Sequence, residues 1–169
     1  MARTTKASSK RPAVKRSRGG HLDYYVSTRD SVGFVVREVW RSFARCLQPR
    51  IAREGVSIGM WFVLRMLWDE DGMTQRELGE RVGINAPTMV TALNSMERAG
   101  LVKRVNNQAD RRKINVFLTA RGRKLKSILW PMAAEVLALS VSGLNRSQVQ
   151  SLNKMLAQVR LNLERDRYE

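Results

Sequence analysis

Two groups of residues in this chain have the types and spacing to hold a polyanion. The first is the octapeptide NNQADRRK, residues 106–113, in which Asp110 and Arg112 stand two apart with Arg111 and Lys113 beside them. A carboxylate one residue removed from a guanidinium can pair with it and hold it in one pose, ready to present its forked donors to phosphate or a base edge. The second is the set Pro87, Thr88, Thr91, Asn94, Ser95 and Arg98, which at helical spacing forms one side of a helix and reads as free of aliphatic residues and acids. Hydroxyl and amide groups arrayed in this way suit base edges or phosphates in a major groove. A third cationic feature, the row Arg37, Arg41 and Arg45, reads first as a solvated face, with the phosphates of a CoA-type ligand or DNA as the alternative.

Other chemistry is poorly supplied. No nucleophile with its base, carboxylate pair or phosphate loop occurs at telling spacing, so the chain reads as a non-enzyme that needs no cofactor. A lone His21 and a lone Cys46 exclude a clustered metal site and an intramolecular disulfide, which suits a reducing cytoplasm. Cys46 directly precedes the core candidate Leu47 and reads as a buried thiol, with oxidant sensing as the alternative.

The charge is local. Of a formal +16, residues 1–20 supply seven basic residues and no acid, and residues 98–126 supply ten basic residues against the single acid Asp110; the remainder of the 169 residues balances. Two concentrated stretches favour a polyanion-binding surface over mere solubility. Residues 1–20 carry too few apolar side chains to offset ordering and read as a disordered basic tail, a transit peptide being the weaker alternative. With 43% hydrophobic residues the rest can build a core, and no apolar run has the length of a membrane span.

The elements that position these groups follow from periodicity and caps. Ser27 or Thr28 starts a helix with a stripe of Val32, Val35, Val36, Val39, Phe43 and Leu47, and Gln48-Pro49 is expected to interrupt it. Ser57 caps a second helix that turns Met60, Val63, Leu64 and Leu67 inward and ends at DEDG, residues 69–72. Thr74 and Glu77 form a capping box, with Met73 and Leu78 as its staple, for a short third helix that carries Arg76 and stops near Gly83. Asn85 caps a fourth, with Pro87 in its first turn and Met89, Leu93 and Met96 inward. A tight turn between these two helices outlines a helix-turn-helix. LVKRV and INVFL then alternate as the strands of a hairpin whose tip is NNQADRRK, a wing that can carry an arginine to a minor groove. Thr119 caps a long fifth helix with a kink expected at Pro131. Asn145 and Gln148 box a sixth, whose seam Val149, Leu152, Leu156, Val159 and Leu163 asks for a second copy of the chain.

On the segments MTQRELGERVGINAPTMVTALNSMERAGLVKR and DRRKINVFLTARG the sequence resembles the MarR family of bacterial transcription regulators, over roughly residues 28–165. The resemblance implies a mainly α fold with a small β-hairpin wing: a winged helix-turn-helix lobe at about 57–120 inside a domain of 21–169, with dimerisation helices at about 27–48 and 120–167. It implies a homodimer on a palindromic double-stranded DNA operator. A phenolic or aromatic acid, or its acyl-CoA thioester, would release it from a crevice to which Arg37, Trp40, Arg41, Phe43 and Trp61 are assigned. By position Asp110 and Arg112 match the family's wing-tip pair, and residues 85–98 its recognition helix. The competing reading is a basic architectural protein that coats DNA without reading it.

Overall fold

The structure, a computed structural model, describes residues 31–166; the basic tail, His21 and the Ser27 or Thr28 cap lie outside them. Helix α1 spans Val32–Ile51, and the chain divides within it, after Arg41, into two units. In the first, Val32, Val35, Val36 and Val39, the upper half of the expected stripe, are exposed. In the second, Leu47 and Ile51 are buried.

The expected break at Gln48-Pro49 does not occur, because α1 continues to Ile51. Proline so near a helix end forfeits one hydrogen bond, and burial of Leu47 and Ile51 one turn apart outweighs that loss. Gln48 then clamps the following turn, its Oε1 accepting from Ile58 N–H at 2.7 Å and its Nε2 donating to the Val56 carbonyl at 3.3 Å.

The remaining elements are α2 (Ile58–Asp69), α3 (Gln75–Val82), α4 (Ala86–Arg98), β1 (Val102–Asn106), β2 (Ile114–Leu118), α5 (Ala120–Ser140) and α6 (Arg146–Asp166). Their starts follow the expected caps. Ser57 accepts from Met60 N–H, Thr119 from Gly122 N–H and Asn85 from Thr88 N–H, and both sides of the Thr74/Glu77 box are made. Asn145 and Gln148 also exchange their two hydrogen bonds, at 2.8 and 3.0 Å. Helix α5 runs unbroken through Pro131.

The core joins α2, α3, α4, the hairpin and the first half of α5. Leu64, Leu67, Leu78, Met89, Leu93, Met96, Leu101, Val116 and Leu129 are fully enclosed. Trp61 also lies in this core, edge-on to Trp68 at 5.6 Å between ring centroids. By contrast no described residue of α6 is fully buried: Leu152, Met155, Leu156, Leu161 and Leu163 are exposed, Val149 and Val159 are half-buried, and Leu144, just before the Asn145 cap, is exposed.

Strands β1 and β2 pair antiparallel, with Val102 opposite Leu118 and Asn106 opposite Ile114. The other edge of β2 is occupied by residues 72–74. Val116 N–H donates to the Met73 carbonyl at 2.8 Å and Gly72 N–H to the Val116 carbonyl at 3.0 Å, and a bridge links Thr74 to Asn115. Asp71 extends the seam, accepting from Leu118 N–H at 2.8 Å and from Arg123 at 3.2 Å. Trp68 Nε1 donates to the Gly122 carbonyl at 2.9 Å, locking α5 to α2.

Strand β1 is tied to α4 by one ion pair. Arg104 directs Nε and Nη2 to Glu97 Oε2 and gives its own N–H to Glu97 Oε1 at 3.0 Å. The Arg104 side chain holds the Glu97 carboxyl below the ordinary glutamate range, its N–H and charge adding to the effect and burial opposing it.

Two expectations follow. A Cβ on Gly122 would stand 2.1 Å from the Leu101 carbonyl oxygen, a backbone atom that cannot step aside. Gly122→Ala should therefore destabilise by about 1–3 kcal/mol, seen as a lower urea midpoint. Because the folded Glu97 value lies below the unfolded one, the stability this pair adds is complete above the unfolded carboxylate range and is lost as pH falls through the lowered folded value. In urea titrations between pH 7 and pH 3, Glu97→Gln should start less stable than the natural chain and converge on it at the acid end.

Candidate nucleic-acid interface

Helix α4 turns Met89, Leu93 and Met96 into the core, each with no exposed surface. The opposite side therefore faces outward by helical geometry, and Pro87, Thr88, Thr91, Asn94 and Arg98 are all exposed, with Ser95 half-buried. One sequence expectation is corrected here: the face is not free of aliphatic residues, since Val90, beside Pro87 and Asn94, is exposed. At 100° per residue it flanks the polar stripe rather than joining the core stripe.

The polar groups on this face are partly committed. Thr91 donates its hydroxyl to the Pro87 carbonyl at 3.1 Å, which leaves its oxygen as an acceptor. Arg98 folds back over its own helix, with Nη2 3.3 Å from Ser95 Oγ. Asn94 Oδ1 accepts from Arg104 Nη2 at 2.6 Å. Neither Arg104 nor Glu97 was singled out from sequence; a charged pair seven apart, across a helix end and a turn, has no periodic signature.

The wing tip is a built turn. Asn107 N–H donates to the Lys113 carbonyl at 3.0 Å, and Asn107 Oδ1 accepts from the N–H groups of Ala109 and Asp110, both at 2.9 Å. Asp110 Oδ1 in turn accepts from Arg112 N–H at 3.1 Å and Nε at 3.2 Å. The chain of bonds continues inward: Asn107 Nδ2 donates to Asn115 Oδ1 at 2.8 Å, and Asn115 Nδ2 to the Gly72 carbonyl at 2.6 Å. The turn ahead of α3 and the tip of the wing are thus one hydrogen-bonded assembly. Arg112 at its end is 92% exposed, and Arg111 and Lys113 beside it are exposed too.

Arg76 stands on α3 in the same region, paired with Glu80 at 2.9 Å. Residues Thr74, Gln75, Arg76, Glu77, Asp110, Arg112 and Lys113 line an open cleft of about 590 Å³ between the start of α3 and the wing. Its charges are mixed. Hydrogen bonding from Arg112 holds the Asp110 carboxyl below the ordinary aspartate range, with Lys113 contributing by charge, and hydrogen bonds from Thr74 do the same for Glu77. Both of these acids are therefore carboxylates near neutral pH, balancing the cations beside them.

The residues assigned to a ligand crevice fall in both units. Arg37, Trp40 and Arg41 are exposed within one turn of α1, Arg41 3.3 Å from Glu38. In the other unit Phe43 packs against the core and Trp61 lies within it. Sequence reading missed a different cation and ring arrangement: Arg65 stands 5.9 Å from the ring centroids of both Trp61 and Trp130, and Lys126 lies 6.0 Å from the Trp130 ring, which is 47% exposed. Cys46 is half-buried. Among the described residues no group of three or more His, Cys, Asp or Glu side chains could hold a metal ion, and no helix is long and apolar enough to cross a membrane.

Comparison with known proteins gives a consistent result. The MarR family matches residues 56–114, which run from the loop before α2 to the start of β2. The transcriptional regulator TtmR of Methylorubrum extorquens (strain PA1) is 31% identical over 93 residues, 55% of this chain; the match spans about half the length of that regulator, 48%. A MarR transcriptional regulator from Methanosarcina mazei Go1 superposes with a TM-score of 0.73 at 25% identity, covering 79% of this chain and 96% of that one. Reduced AbfR bound to DNA superposes with a TM-score of 0.71 at 20% identity, covering 86% and 96%, a likeness of fold. With its helix-turn-helix, wing and flanking helices in this order, the chain matches the MarR family over residues 56–114 and is similar in fold to MarR regulators over most of its length.

Proposed function

We propose that this chain is a DNA-binding transcriptional regulator that acts as a homodimer on inverted half-sites. The observation that carries the reading is the joint exposure of the polar face of α4 and the built wing tip, both fastened to the same core through the hairpin. In this reading Pro87, Thr88, Thr91, Asn94, Ser95 and Arg98 enter the major groove. Asp110, Arg111, Arg112 and Lys113 carry the wing to the adjacent minor groove, and Arg76 meets the phosphates. The mixed charge of the cleft fits this role, because a phosphate approaching Arg76 or Arg112 exchanges one anionic partner for another and the guanidinium is never left bare. That a protein of the same fold has been seen bound to DNA supports it.

The dimer reading rests on α6. A 21-residue helix with a leucine seam and no buried residue lacks a packing partner among the described residues, and two-fold pairing with a second copy would supply one. Two-fold symmetry would then set two α4 helices about one DNA turn apart. The effector reading is an aromatic or phenolic acid, or its acyl-CoA thioester, that favours a dimer with the wrong half-site spacing and so acts as a repressor's release signal. The exposed Trp130 ring beside Arg65 and Lys126 has the chemistry for such a ligand, a flat apolar wall with cations at its edge. A regulator of this type works in the cytoplasm, on the nucleoid.

Three outcomes are expected. With a duplex enriched by the protein from a random library, titrated at fixed salt, Arg112→Ala should weaken binding roughly ten- to a hundredfold. Removing residues 1–18 should mainly flatten the dependence of affinity on salt, because it deletes basic residues that displace counterions. In sedimentation the natural chain should run at twice its 19.3 kDa mass and Leu156→Glu nearer to once. Full affinity in both DNA-binding variants would remove the wing and the tail from the contact surface.

A further inference from the structure

The amide of Asn94 faces a neighbour that has donors and no acceptor. Arg104 Nη2 lies 2.6 Å from Asn94 Oδ1, and since a guanidinium cannot accept a hydrogen bond, the atom turned toward it must be the amide oxygen. Arg104 cannot swing away cheaply, because it is forked onto Glu97 and pinned by its own N–H to the same carboxylate. The side chains of this pair are only 25% and 32% exposed, so water and salt loosen it less than a surface pair. The two N–H donors of Asn94 Nδ2 are then the part of the amide left for an incoming molecule, in the middle of the outward face of α4.

We propose that Asn94 reads DNA as a fixed hydrogen-bond donor, with Arg104 and Glu97 as its positioning residues. This rests on the DNA-binding reading above and adds the base chemistry. An unconstrained asparagine in the major groove pairs with adenine through both ends of its amide, accepting from N6 and donating to N7. With Oδ1 engaged by Arg104 that pairing is disfavoured. The contact goes instead to an edge that only accepts: N7 or O6 of guanine, or O4 of thymine. Cytosine, which offers an amino donor, is rejected at that position. One turn back, Thr91 offers an acceptor, so the face carries a donor and an acceptor at set places.

The test is selection of sites from a randomised duplex library by the full chain and by Asn94→Ala, Asn94→Asp, Arg104→Met and Arg104→Lys, with thermal unfolding of each variant. The position read by Asn94 is the base pair whose preference collapses in Asn94→Ala. Asn94→Asp keeps one oxygen on Arg104 and turns a second acceptor outward. It is expected to invert the preferred pair, guanine giving way to cytosine or thymine to adenine, by about fivefold or more. Arg104→Met frees the amide and should flatten the preference toward both orientations, while Arg104→Lys, which still donates, should keep most of it. An unchanged pair in Asn94→Asp, or a full preference in a folded Arg104→Met, overturns the proposal. A natural chain that enriches no common sequence would instead overturn the sequence-reading function beneath it, so the two failures are told apart.

Discussion

The second edge of β2 is the joint on which the rest of this structure depends. The short segment between α2 and α3, residues 71–74, pairs there with Val116, bridges to Asn115 and receives the Leu118 N–H on the Asp71 carboxylate. One stretch of backbone therefore fixes the capping residue of α3, the root of the wing and the start of α5. Gly72 sits in it with φ of +84°, and a Cβ there would meet the Phe117 ring at 2.6 Å, so both its backbone conformation and its lack of a side chain are required. If this seam were loose, the wing would be held to the helix-turn-helix only through its link to α4. Tied as they are, they form one rigid surface whose parts keep their spacing, the condition for fitting two neighbouring grooves at once.

Polar groups at this surface are held before any ligand arrives. Asn107, Asn115, Asp110 and Arg112 are linked in series, and Glu97, Arg104 and Asn94 form a second series on the other side of the hairpin. At the wing tip, where Arg112 is almost fully exposed, such pairs add little to stability, since water competes for each partner. Their consequence is conformational: side chains already in place lose less freedom on binding, and the gain appears as affinity and selectivity rather than as a higher melting point. The apolar inventory shows the opposite pattern. The core beneath α4 is closed, while α6 and the first half of α1 carry valines and leucines into solvent.

Much of this was legible in the sequence because it is written locally. The capping boxes at Thr74 and Asn145 and the Asn85 cap each need residues three apart, and each forms as expected. The inward triad Met89, Leu93 and Met96 follows from helical period, and the hairpin from alternation on either side of a polar tip. What was not legible depends on contacts between distant positions. The link from Asp71 to Leu118 spans 47 residues and that from Asn115 to Gly72 spans 43, and nothing at either end announces the other. The break expected at Pro49 failed because packing of Ile51 outweighed a local rule, and the outward face of α4, expected free of aliphatic residues, has Val90 exposed at its edge. The pairing of Arg104 with Glu97 was hidden for a further reason: charged residues are common on any helix and strand, and only the turn at Gly100 brings these two together.

The central claim is that this surface discriminates among DNA sequences and does not simply neutralise phosphate. The most direct measurement is competition, at one fixed physiological salt concentration, between a duplex enriched from a random library and a scrambled duplex of equal length. A sequence-reading surface should prefer the first by a factor of at least ~10³. A ratio near one would contradict the account, because binding would then follow the net charge of the chain alone, as it does for a protein that coats DNA.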